Sequence, residues 1–141
     1  MEQHCPRKHI LETERQFKIS RNGIITTHRG DTFTVPVCIN VGSGCQPKPY
    51  DLKPGDVLYL GLLEPGQRWE KAILKKTITY EESQKYPDED PTFYFRIEDT
   101  EYLVPGNYYY EVKLYRAPEN CEHNLEHVDT IIPRTKFVIL E

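Results

Sequence analysis

Residues 33–40, FTVPVCIN, alternate more strictly than any other stretch of this chain. Phe33, Val35, Val37 and Ile39 share one face, and Thr34, Pro36, Cys38 and Asn40 the other. A period of two is the period of a strand, and it commits the chain to a sheet with one buried face. Pro36 cannot donate to a ladder, so this strand lies at a sheet edge or is bulged there. Ten Tyr and five Phe favour further strands, while eleven Pro and eight Gly interrupt the chain too often for long helices.

The remaining strands follow from the same period. Residues 14–20, ERQFKIS, and the β-branched run from Ile24 to Thr27 flank Asn22-Gly23, which can take positive φ, and predict a short hairpin. Arg29-Gly30-Asp31 follows. Its adhesion reading is set aside because Gly and Asp suffice to build a turn into the next strand, leaving Arg29 incidental. VLYLGLLE is almost continuously apolar, which predicts a strand covered on both faces, and EPGQ closes it. KAILKKTITY supplies a strand or strand pair, and EESQKYPDEDP a charged loop. TFYFRIE places Phe93, Phe95 and Ile97 inward. Tyr108, Tyr110, Val112 and Leu114 share a face in the following strand, and Phe137 and Ile139 point inward in the last. The expectation is all-β: an antiparallel sandwich of about seven or eight strands over residues 14–141, one domain, preceded by an arm at 1–13 without periodicity.

Charge and composition narrow the partners. A net charge of −4 with scattered Lys and Arg does not suit nonspecific nucleic-acid binding, which depends on cations displacing counterions. No apolar run is long enough for a membrane helix, and the N-terminus is too charged for a secretory signal. Cys5, Cys38, Cys45 and Cys121 are therefore expected as free thiols, a Cys38–Cys45 bridge being the exception favoured by their short separation.

Candidate chemistry is sparse. VGSGC lacks the spacing and setting of a nucleophile elbow, and the carboxylates of PDEDP and Glu98-Asp99 sit where side chains are ordinarily solvated, so no enzyme is expected. Cys121, His123 and His127 are soft-metal ligand types in a C-x-H-x3-H cluster. They are the weak candidates for a metal in a small metal-binding protein, against the plainer reading of a polar loop; no cofactor is expected. Tyr109 and Tyr115 fall opposite the core face of their strand and, with Trp69 and Tyr59, are interface candidates, for a protein partner or for a carbohydrate or cell surface. Pro105 and Gly106 form a turn after which Tyr108 is placed as a tyrosine corner, its hydroxyl reaching backbone.

HRGDTFTVPVCIN with YDLKPGDVLYLGLLEP resembles the opening of small immunoglobulin-like domains in tailed-phage structural proteins, such as the N-terminal domains of baseplate upper proteins. FYFRIEDTEYLVPGNYYYEVKLY and TKFVILE are similar to the later strands of those domains. The resemblance covers about residues 28–141; residues 1–27 have no counterpart, and the loops at 41–54 and 116–128 are long and carry cysteine. It implies an immunoglobulin-like sandwich with a non-enzymatic structural role in a virion made in a bacterial cytoplasm. Its partners would be other virion proteins or copies of itself.

Overall fold

Nine strands lie among the described residues: β1 (Ile25–His28), β2 (Phe33–Pro36), β3 (Asn40–Val41), β4 (Lys48–Pro49), β5 (Val57–Leu63), β6 (Leu74–Thr79), β7 (Thr92–Phe95), β8 (Gly106–Arg116) and β9 (His127–Leu140). The structure, a computed structural model, describes residues 19–20, 22–41, 48–120 and 127–141; the arm at 1–13 lies outside them. The protein is all-β, and the helices among the described residues are four single turns. None is long and apolar enough to cross a membrane.

The main sheet has the order β1-β9-β8-β5-β6; β2 and β7 form a separate two-stranded ribbon, and β3 and β4 a minimal one. β8 is central, and its register explains the core. Leu58 lies opposite Leu114, Leu60 opposite Val112 and Leu62 opposite Tyr110, all turned to one face and buried. Val35, Phe93 and Phe95 supply the facing surface from the ribbon. Phe33 stacks on Phe95 with ring centres 4.6 Å apart, and Phe95 meets Phe137 of β9 at 5.6 Å, so the ribbon is held to the sheet by aromatic contact. Each such ring fully buried contributes roughly 1.5–3 kcal/mol, more than any exposed ion pair at the periphery.

Three departures from the sequence expectation have local causes. β1 runs parallel to β9, with Ile25 opposite Phe137, whereas every strand was expected antiparallel. The chain reverses at Ser20–Gly23, where Gly23 has φ +87°, and the Tyr110 hydroxyl donates to the Gly23 carbonyl, fixing the entry to β1. Burial pushes the Tyr110 phenol up to about 12, so it stays a donor. The predicted first hairpin is represented by the antiparallel bridge of Ile19 with Ile25; residues 14–18 lie outside the described residues.

The second departure is at Pro36, where regular pairing ends; Val37 and Ile39 stay buried, and the Val37 N–H donates to the Pro91 carbonyl at 2.8 Å. Third, Ile97 points outward, 54% exposed, because the Asp99 carboxylate accepts the Arg96 N–H and starts a helical turn at Ile97–Thr100. β9 itself runs past Pro133 by shifting register against β8 between Tyr110 and Lys113, which takes up the residue that cannot donate.

Arg29-Gly30-Asp31 forms a turn. Gly30 has φ +81°, the Asp31 N–H donates to the His28 carbonyl, and the Gly30 N–H donates to the buried Thr100 hydroxyl at 2.9 Å. Arg29 is not idle, since it pairs with Glu141 at 2.8 Å, but exposed pairs of this kind contribute about 0–1 kcal/mol.

The Tyr108 hydroxyl donates to the Val104 carbonyl at 2.6 Å from a buried ring, whereas Tyr109 is half-exposed on the other face. Tyr108→Phe leaves that carbonyl without its partner and is expected to cost about 1 kcal/mol, and Tyr109→Phe less than about 0.5 kcal/mol. Denaturant unfolding of the two variants checks this; equal midpoints contradict it.

Candidate functional site

On the outer face of the main sheet, the odd-numbered residues of β8 meet those of β5 and β6. Gly61 lies opposite Glu111 on one side and Lys75 on the other. The single turn Trp69–Lys71 lays the six-membered ring of Trp69 against Gly61, so closely that a β-carbon there would stand 2.6 Å from the ring. The indole N–H donates to the Tyr115 hydroxyl at 3.0 Å, and Tyr59 meets Tyr115 edge-on at 4.9 Å. The ammonium groups of Lys75 and Lys113 lie 5.0 and 5.4 Å from the Trp69 ring centre. Thus Trp69 and Tyr115 come together with Tyr59, and β5 is covered from outside. Tyr109 stands apart, opposite Leu63 and Lys136. Because Gly61 backs the ring and Tyr115 takes its N–H, Trp69 is a packed side chain with less to offer a sugar than a projecting one.

The other candidates disperse. His127 contacts Asp129 at 3.1 Å, while Cys121 and His123 lie outside the described residues. Among the described residues, no three His, Cys, Asp or Glu side chains converge as metal ligands. Cys38 is disulfide-bonded, which corrects the free-thiol expectation at that position; Cys5, Cys45 and Cys121 lie outside the described residues. Asp99, expected to be solvated, is mostly buried and pairs with Lys76 at 2.8 Å.

Sequence reasoning missed Asp56. Its carboxylate is buried and accepts hydrogen bonds from the Tyr50 hydroxyl, the Lys53 and Ala117 N–H groups and the Asn120 side chain. Burial alone would raise its pKa; the hydrogen bonds, Tyr50 foremost, outweigh that and hold it below the ordinary carboxylate value. Burial and Asp56 together raise the Tyr50 phenol. The group ties the turn before β5 to the segment after β8, a structural role.

A groove of about 550 Å³ runs between β6 and β7, closed on one side by the segment joining them. Ile78 and Phe93 form its apolar floor, Tyr86 and Tyr94 stand exposed at its walls, and Lys85 and Arg96 lie at its rim. The joining segment begins with a helical turn, Tyr80–Ser83, whose capping box pairs Thr79 with Glu82.

No protein family, curated protein or solved structure matches this chain.

Trp69 is the only tryptophan, so its fluorescence reports this cluster alone. Gly61→Ala should lift the ring from the sheet, shifting emission to the red and raising acrylamide quenching, with a stability loss of about 1–3 kcal/mol. Unchanged emission contradicts the packing described.

Proposed function

We propose that this chain is a non-enzymatic structural protein of a tailed-phage particle, an immunoglobulin-like β-sandwich that holds neighbouring subunits through its N-terminal arm and its sheet edges. The order β9-β8-β5-β6 agrees with the G-F-C-C′ order of a variable-type immunoglobulin sheet, and β2 with β7 agrees with the B–E pair opposite it. Tyr108, just after the Pro105-Gly106 turn and bonded back to Val104, agrees with the corner of that fold. The phage assignment draws its support from the sequence motifs in residues 28–141.

The observation that carries the assembly reading is the size of the second layer. Among the described residues it consists of two strands of four residues with no third strand beside them, and a two-stranded ribbon is a weak sheet by itself. Neighbours that add strands or arms there would complete it. The partners on this reading are other virion proteins or further copies of the chain, and neither nucleic acid nor membrane is assigned a role. The carbohydrate reading has the aromatic cluster in its favour, but its central ring is already packed against Gly61.

In lysates of the host producing the particle, the chain should sediment with intact particles in a density gradient. Deleting residues 1–13 should leave the domain folded and lower its incorporation. A chain found wholly in the soluble fraction contradicts the proposal.

A further inference from the structure

The four long edges of the sheets are not treated alike. β6 carries Lys75 and Lys76, β2 ends at Pro36, and β1 is bridged by Ile19. Lysine, proline and covering chain are the usual guards against an unwanted strand. β7, Thr-Phe-Tyr-Phe, has none of these within it, and it faces the groove.

Its backbone direction follows from the register. Pro36 lies opposite Thr92, and the Val37 N–H bonds to the Pro91 carbonyl, so the alternation makes Val35–Phe93 and Phe33–Phe95 the hydrogen-bonded pairs. The N–H and C=O groups of Thr92 and Tyr94 therefore point away from β2, into the groove. Beyond them lies the apolar floor of Ile78 and Phe93.

Charge selects among extended segments. Lys76 is neutralised by Asp99; Glu82 keeps its charge but turns its carboxylate to the Thr79 N–H of its own helix cap, and Glu89 and Asp90 have partners within the chain. Lys85 and Arg96, both exposed at the rim, form no ion pair among the described residues.

We infer that the groove between β6 and β7 docks an extended segment of a partner chain, which pairs with β7 as a third strand of the ribbon. Alternate residues of that segment are apolar, toward Ile78 and Phe93, and acidic, toward Lys85 and Arg96. β2 holds one edge of β7 and leaves one edge facing the groove, so the occupant is a single extended segment, a tail or arm of another protein. This rests on the assembly reading for the identity of the partner, but the groove can be tested without a particle.

The probe is a synthetic peptide of alternating valine and glutamate, titrated into the isotopically labelled full chain. A matched peptide carrying lysine for glutamate is the control. The glutamate peptide should bind, slow amide exchange at Thr92 and Tyr94, and exceed the lysine peptide in affinity by about tenfold or more. Lys85→Glu with Arg96→Glu, both at exposed positions, should reverse that preference without changing the unfolding midpoint appreciably.

Absence of binding, equal affinity for the two peptides, or protection confined to another strand overturns the inference. So does protection of Thr92 and Tyr94 before peptide is added, with dimerisation, which would give the edge to a second copy. If the peptide fails while the chain sediments with particles, only the groove is refuted. If it binds while the chain stays soluble, only the phage assignment is.

Discussion

The hydrogen-bond ladders on the two sides of β8 are the constraint from which the rest of the structure follows. β8 pairs with β5 along one edge and β9 along the other, and those two strands in turn place β6 and β1. Its alternation divides the molecule. Tyr108, Tyr110, Val112 and Leu114 face the ribbon, while Tyr109, Glu111, Lys113 and Tyr115 face out. A slip of one residue would exchange the two sets, turning Lys113 and Glu111 into the apolar core and exposing the core residues, at a cost no local interaction could offset. Tyr108 and Tyr110 also reach beyond the ladder by their hydroxyls, to the turn before β8 and to the entry of β1.

The ladders explain why the two faces serve different ends. The inner face holds the ribbon by ring contact among Phe33, Phe95 and Phe137. On the outer face Glu111 is mostly buried, paired with Arg134 at 2.7 Å and close to Lys113, so that face is stabilised by paired charge and aromatic packing around Trp69. Among the described residues, the ribbon has no third strand, and the rim cations Lys85 and Arg96 beside β7 form no ion pair. On the assembly reading proposed above, a neighbour would reach these groups without disturbing the core.

Period-two patterning is local, and so the inward faces of residues 33–39, 108–114 and 137–139 were legible from sequence. Pairing is not local. Nothing in Ile24 to Thr27 says that this run, besides meeting Ile19 in an antiparallel bridge, joins the last strand in parallel, because its entry is fixed by Gly23 and by a tyrosine 87 residues from that glycine. The outward turn of Ile97 was hidden because alternation continued into it; the competing signal, Asp99 capping Arg96, is polar and short-range. Other signals were present and passed over. Thr79 with Glu82 has the spacing of a capping box, and a glycine within the apolar run of β5 signals close approach of another group, here Trp69. The groove was not legible, since it exists only because two consecutive strands do not pair with each other, β6 joining the main sheet and β7 the ribbon.

Native-state hydrogen exchange tests the dependence on β8 most directly. If its two ladders hold the fold, amides across Tyr108–Leu114 should exchange only through global unfolding, with the free energy found by denaturant, while those of β1 and the ribbon open earlier. Exchange of the β8 amides through a lower-energy opening, with β1 or the ribbon still protected, would contradict the account.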